Sequence, residues 1–398
     1  MNPASRLKGR IRSPPADAMS GAVDPLSAAR AVNARLAYDY DAMPYLPEPE
    51  PLLDLERIFG LAAVYGLGRD PTREVNVLDL GCGIGSQLAR AAQQAHGSLV
   101  GTDISPSACA GARARLAPHG DRVRIIEGDL LDLDPRSLGT FDVIYAVGLI
   151  YVVPAPVLAR VLEILGTCLK PGGLAVLSYY AGALGALKPQ LNQILRAATD
   201  PGAAPTTRTA QAREVLRQLN GQFAPNDTGL SAQLIRMMAS YRDDTVLYHE
   251  TFCDTLTALS TGQLASALHA HGLRYLSYLH PMPYCGMAQA QQRSNGADLI
   301  DFMHGGYRYA AFAKDSDPES NPLAARAPRW MTGIRRNGPD SFRDPALGVI
   351  RATDEQVQAA LDRLVQGPAR REDLPPGPHL DAELQKLWQG GWLTPLAP

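Results

Sequence analysis

Between Val77 and Gly85 the chain reads Val-Leu-Asp-Leu-Gly-Cys-Gly-Ile-Gly, an apolar run ending in three glycines spaced by single residues. Glycines at 81, 83 and 85 let the backbone turn tightly and approach a ligand that a Cβ would block. A helix after such a turn presents unpaired N–H groups and the positive end of its dipole. Two features speak against a dinucleotide there. The nicotinamide pattern needs its third glycine one residue later, where Ser86 stands, and Asp79, two residues before Gly81, would repel phosphates. Asp79 suits an ammonium group instead. Asp103, in Val100-Gly-Thr-Asp-Ile-Ser105, follows the next apolar run, where a carboxylate accepts both hydroxyls of a ribose. Asp129, in Glu127-Gly-Asp-Leu130, follows the third, where a polar side chain and a neighbouring N–H read an adenine edge. An ammonium, a carboxylate, a ribose diol and an adenine, with no phosphate, describe S-adenosylmethionine, the expected cofactor. Gln87, Ile104, Leu130 and Val147 stand beside these positions and are expected in the same lining, with Cys82 as a small packed side chain rather than a nucleophile.

Three acids at three strand ends require a sheet whose strands all finish on one edge. Val75–Leu80, Ser98–Thr102, Val123–Glu127, Asp142–Val147 and Leu174–Tyr179 read as buried parallel strands, separated by helices over Gln87–Ala95, Ser107–Leu116 and Val157–Leu169. This alternation implies a doubly wound α/β sheet. Residues 181–257 show helical stretches (Gln190–Ala198, Thr209–Leu219, Ser231–Met238) and read as a helical insertion. A helix capped by Ser260 or Thr261 and two more strands, Leu273–Leu279 and Tyr307–Lys314, then complete the sheet, so 258–314 returns to the core begun in 36–180. Before that core, residues 1–35 read as a flexible N-terminal tail. After it, 315–345 reads as a linker, and helices opened by Thr353-Asp-Glu-Gln356 and over Asp381–Trp388 suggest a small helical or winged-helix-like module with Trp330, Trp388 and Trp392 in its core.

Composition narrows the function further. In 398 residues, 38 basic groups face 40 acidic ones, so no overall field draws the chain to nucleic acid or anionic lipid. Five scattered cysteines fit neither a disulfide framework nor a zinc site, and no metal is expected; a reducing cytoplasm fits better. No apolar run approaches the ~20 residues that cross a bilayer, so no membrane partner is expected.

Residues 75–180 resemble the class I S-adenosylmethionine-dependent methyltransferases in the glycine loop, in the two acids that follow, in Phe141-Asp-Val-Ile-Tyr145 and in Leu169-Lys-Pro-Gly-Gly-Leu174. The resemblance implies a seven-stranded sheet with an antiparallel close. A narrower resemblance, over about 38–314, is to methyltransferases carrying a methyltransferase regulatory domain, among them bacterial protein-lysine methyltransferases. It rests on Tyr40-Asp-Ala-Met-Pro-Tyr45, Gly148 with Ile150-Tyr151, Ser178-Tyr179, Gln211-Ala-Arg213, His249-Glu250, His271-Gly-Leu273 with Tyr275-Leu276, and Asp301-Phe302 with Arg308. The chain departs from that group at Leu53-Asp54-Leu55, where the group has Thr-His-Pro, and at Tyr151-Val152, where it has Ser-Trp. The expected reaction is methyl transfer to a nitrogen or oxygen nucleophile. A protein or peptide acceptor is expected before a small metabolite, and a catalytically inactive cofactor-binding protein is the remaining alternative. Tyr40 and Tyr45 are expected to fold over the cofactor, Tyr45 near the sulfonium. Tyr151 is expected on the acceptor side, with His249 as a base; the insertion and the loop 280–306 would wall the entrance. A homodimer is compatible with this reading.

Overall fold

The computed structural model describes residues 24–65, 67, 74–279, 297–298, 301, 306–315, 329–344, 348–377, 379–389 and 393–396. The first helices, α1 (Pro25–Ala42) and α2 (Leu55–Val64), precede the alternating core: β1 (Val77–Leu80), α3 (Ser86–Gln94), β2 (Leu99–Asp103), α4 (Pro106–Leu116), β3 (Val123–Glu127), α5 (Pro135–Leu138), β4 (Phe141–Ala146), α6 (Ala155–Cys168) and β5 (Leu169–Ala181). Four helices follow, α7 (Gly182–Ala197), α8 (Pro205–Asn220), α9 (Leu230–Ser240) and α10 (Asp244–Phe252), then α11 (Thr261–His269), β6 (Leu273–Tyr278) and β7 (Gly306–Lys314).

β1 to β7 form one sheet in the order β3-β2-β1-β4-β5-β7-β6, with β7 antiparallel to both β5 and β6. This is the seven-stranded class I methyltransferase fold. The run Val77–Leu80 is buried at every position because helices cover both faces of the sheet, so its apolar residues do not alternate. Successive connections leave β1 toward β2 on one side and return to β4 on the other. A crevice therefore opens at the C-terminal ends of these strands, the usual ligand position in such sheets.

Two motifs quoted for the resemblance support the opposite edge. Lys170 Nζ donates to Asp142 Oδ2 at 2.7 Å, and the same oxygen accepts the Asn76 N–H at 2.9 Å, so strands β4 and β5 and the entry to β1 are stapled below the crevice.

Three expectations change. Residues 25–35 belong to α1, not to a flexible tail: Asp24 caps the helix by accepting the Ser27 N–H, Pro25 opens it, and Ala29, Asn33 and Leu36 recur on its buried side. Residues 1–23 lie outside the described residues. The stretch read as linker carries β8 (Arg329–Met331), β9 (Arg335–Arg336) and β10 (Ser341–Asp344), whose charged composition conceals the buried Trp330, Ile334 and Phe342. With β11 (Gly348–Arg351), the helices Glu355–Val365 and Leu380–Gln389, and β12 (Thr394–Leu396), the C-terminal segment builds two small antiparallel sheets, β11-β10-β9 and β12-β8. The helix α10 was also missing from the sequence reading, although Asp243 caps it. Trp392 lies outside the described residues, whereas Trp330 and Trp388 are buried as expected.

The C-terminal segment shares its core with the catalytic sheet. Trp330, Phe342 and Trp388 belong to one apolar cluster with Phe59, Val77 and Val176. β12 packs directly on α2, where a Cβ at Gly60 would run into the backbone of Pro395 and Leu396. Gly60→Val is therefore expected to lower stability by about 1–3 kcal/mol through overpacking, read by denaturant unfolding. An unchanged midpoint would show that β12 does not dock there.

Candidate active site

The glycine loop turns because Gly81, Gly83 and Gly85 take φ of 73°, 53° and 72°, the left-handed region. The N–H groups of Gly81 and Cys82 both reach the Thr102 carbonyl, at 2.8 and 2.9 Å, which ties the loop to the end of β2. Asp103 completes this clamp, its Oδ2 accepting the Gly83 N–H at 2.8 Å and its Oδ1 the Ser105 N–H at 2.9 Å. Each oxygen retains lone-pair capacity toward the crevice. Burial raises the Asp103 pKa, opposed by these backbone hydrogen bonds.

Asp79 sits deeper. Its carboxyl is 4% exposed and has no hydrogen-bond donor among the described residues. Burial, with the Asp103 charge adding to it, pushes its pKa up to about 7. Asp129 accepts the Leu131 N–H through Oδ1 (2.9 Å) and Asn33 Nδ2 through Oδ2 (2.8 Å). That second bond fastens α1 across the crevice. Asp41 repeats the fastening, its Oδ1 accepting the hydroxyls of Ser105 and Ser107, both at 2.6 Å.

These elements enclose a cavity of about 910 Å³. Every expected site residue except Gly85 lines it: Tyr45, Asp79, Gly81, Cys82, Gly83, Gln87, Asp103, Ile104, Asp129, Leu130 and Val147 on the strand-end side, Tyr151 and His249 beyond. Gly85 turns away instead; a Cβ there would stand 3.0 Å from Leu116 and 3.2 Å from Ala112, so it serves the packing of α3 on α4. Gln87 spends both ends of its amide on backbone, donating to the Leu53 carbonyl (3.2 Å) and accepting the Glu50 N–H (3.3 Å). Leu53 also takes the Tyr145 hydroxyl at 2.7 Å, and Asp54 pairs with Arg90, so Leu53-Asp54-Leu55 is an anchored part of the wall. Cys82 is buried and its thiol pKa pushed well up by that burial, which suits packing rather than nucleophilic attack.

His249 on α10 is held on two sides. Its Nε2 lies 2.6 Å from the Met43 carbonyl, so that nitrogen carries the hydrogen, and its ring stacks on Tyr40 with centroids 4.1 Å apart. Burial lowers its pKa and keeps it neutral near pH 7, with Nδ1 holding the remaining lone pair. Tyr45 meets the same ring edge-on at 6.3 Å.

Sequence reasoning missed the far wall. Tyr180 at the end of β5, Tyr307 at the start of β7, and Tyr241 and Glu250 from the segment after α7 all line the cavity. Glu250 accepts the hydroxyls of Tyr151 (3.1 Å) and Tyr180 (2.7 Å) and pairs with Lys188 Nζ at 2.6 Å. Seven acids line the cavity (Glu48, Glu50, Asp79, Asp103, Asp129, Asp243, Glu250), and among the described lining residues there is no Lys or Arg. Asp301 and Arg308, quoted for the resemblance, pair at 3.0 Å beside Tyr278 and Thr261, outside the cavity lining. The loop 280–296 lies outside the described residues.

Residues 77–173 match the family model of a methyltransferase domain. An uncharacterized protein of Rickettsia prowazekii (strain Madrid E) is 25% identical over 215 residues, 52% of this chain and 85% of that protein. A carboxy-S-adenosyl-L-methionine synthase of Wolinella succinogenes is 35% identical over 103 residues, 25% of this chain and 41% of that enzyme. Among solved structures, PKMT2 from Rickettsia typhi in complex with AdoHcy shares the fold, with a TM-score of 0.69 at 20% identity over 89% of this chain and 77% of that one. The class defined by the sheet, the glycine loop and this domain match is that of the S-adenosylmethionine-dependent methyltransferases.

The Asp79 carboxyl has a consequence for the ligand-free protein. Between its unfolded value near 3.8 and its folded value of about 7, the folded state holds a proton that the unfolded state has lost. Stability attributable to this group therefore falls as pH rises from about 4 through about 8, by on the order of 4 kcal/mol in all, and is level above. Unfolding of Asp79→Asn beside the parent chain should show that slope abolished; identical pH profiles would mean Asp79 is solvated.

Proposed function

We propose that this chain transfers the methyl group of S-adenosylmethionine to an amine nitrogen on a protein or peptide side chain, as one of the methyltransferases that carry a regulatory domain, with 181–257 as the regulatory and substrate-facing segment. When bound, S-adenosylmethionine supplies an electrophilic methyl whose departing electron pair stays on sulfur. Asp79 receives the ligand's ammonium, Asp103 its ribose hydroxyls and Asp129 its adenine edge, while α1 and the segment 43–50 cover it and exclude water.

The observation that carries the amine reading is the acidic lining without a described cation. A carboxylate or phosphate acceptor would meet only like charge there, which also disfavours the anion-bearing chemistry named in the carboxy-S-adenosylmethionine synthase relative. A cationic amine is drawn in by Glu48, Glu50 and Asp243 and passes tyrosine faces that favour it. A lysine amine has a pKa near ~10.4 in water and must lose a proton before it attacks; desolvation against the buried tyrosine rings favours the neutral form, against the pull of the acids. The fold shared with PKMT2 and the resemblance to bacterial protein-lysine methyltransferases support a macromolecular acceptor.

Asp103→Ala is expected to weaken S-adenosylmethionine binding by at least about tenfold in calorimetry, since it removes the ribose contact and the Gly83 clamp together. Wild-type affinity in that variant would refute the assignment. With methyl-labelled donor and a host lysate, label should remain in the macromolecular fraction and appear as N-methyl amino acid after acid hydrolysis. Label confined to small molecules, or released as volatile methanol by mild base, would contradict the reading.

A further inference from the structure

The wall that faces the three acids contains a polar group whose hydrogen-bond directions are dictated by charge. Glu250, as a carboxylate, only accepts, so the two tyrosines that reach it must both donate: Tyr151 to Oε1 at 3.1 Å and Tyr180 to Oε2 at 2.7 Å. Lys188 stands directly behind it. It is 0% exposed, pairs with Oε2 at 2.6 Å, donates to the Glu250 carbonyl at 3.1 Å, and lies 4.7 Å over the Tyr180 ring. With both protons committed to Glu250, the two phenol oxygens can only accept from anything else. Tyr241 takes one acceptor place on Tyr180, its hydroxyl 3.4 Å away, which leaves one place there. Tyr307 closes the corner: its hydroxyl takes one acceptor place on Tyr151, again leaving one, and its ring is edge-on to both, 5.7 Å from Tyr151 and 5.0 Å from Tyr180.

Tyr151 follows β4 and Tyr180 ends β5, so the pair stands at the C-terminal edge of the sheet in the same cavity as Asp79 and Asp103. Burial raises the pKa of both phenols, and they remain neutral at physiological pH.

Building on the amine reading above, we infer that Tyr151 and Tyr180 form an acceptor-only pair that takes the two N–H bonds of a neutral primary amine and so turns its lone pair toward the donor methyl. Two acceptors match an amine after it has released one proton to water; a hydroxyl or thiol acceptor has one hydrogen and leaves an oxygen unused. The nitrogen lone pair makes the new C–N bond, and the surplus proton on the methylated nitrogen leaves to water afterwards. Tyr151 and Tyr180 touch the acceptor in this scheme. Glu250 and Lys188 are positioning residues that act through them.

The test uses binding alone, with two probes titrated calorimetrically into the full chain. S-adenosylhomocysteine lacks any group at the transfer point. Sinefungin, in which an amine-bearing carbon replaces the methyl-bearing sulfur, places an amine there. The wild type should bind sinefungin about tenfold or more tightly, the effect of a hydrogen bond to a charged donor. Tyr151→Phe and Tyr180→Phe should each reduce that preference several-fold while S-adenosylhomocysteine affinity stays within about twofold, which also certifies the fold of each variant. Glu250→Gln and Lys188→Met should reduce the preference likewise, and Lys188→Arg should retain most of it; a purely structural role would shift both probes equally. A sinefungin preference unchanged in both phenylalanine variants overturns the inference. Failure of S-adenosylhomocysteine to bind the wild type would instead overturn the cofactor reading on which it rests.

Discussion

A carboxyl group buried at the end of β1 with no donor beside it among the described residues is an expensive thing to build, and Asp79 is built into a strand buried at every position. The four residues of β1 are buried throughout and pair on both sides, with β2 and with β4, so neither the strand nor its acid can move aside. On the proposed reading, the ligand's ammonium supplies the positive charge that no described Lys or Arg of the lining brings. The rest of the cavity follows the same economy. Seven acids line it, and Lys188, which pairs with Glu250, stands outside the lining.

The covering elements are placed by the acids they cover. α1 reaches over the crevice because Asn33 meets Asp129 and because Asp41 meets Ser105 and Ser107. The segment after α1 is held by His249 through the Met43 carbonyl, and Gln87 gathers Glu50 and Leu53 from the same segment. Thus the strand-end side and the tyrosine side of the cavity are mechanically joined, with α10 touching both the segment after α1 and the tyrosine wall.

The meeting of the three acids in one cavity was legible in the amino-acid order because each stands within two residues of a strand end, and a short apolar run marks each strand. The alternating pattern likewise led to the seven-stranded sheet, including the two strands after the helical segment. The tyrosine side was not legible in that way. Tyr151, Tyr180, Lys188, Glu250 and Tyr307 come from five separate segments, and nothing local marks them as neighbours; Tyr151 and Glu250 are 99 residues apart. α10 buries one face, through Leu247, Tyr248, Thr251 and Phe252, but Thr251 and the Tyr248 hydroxyl break the apolar pattern that would have marked it. A usable signal did exist: Lys188 is one of only five lysines and sits amid apolar helix positions, which asks for a buried partner. In the C-terminal segment Trp330 and Trp388 are buried as expected, but the charged residues between the aromatic ones disguised short strands as linker.

The most direct test is a structure of the chain with S-adenosylhomocysteine. The account requires the amino group of the ligand against Asp79, its ribose on Asp103, its adenine beside Asp129, and its sulfur facing the corner made by Tyr151 and Tyr180. A nucleoside bound in another orientation, with Asp79 contacting no positive group, would contradict it.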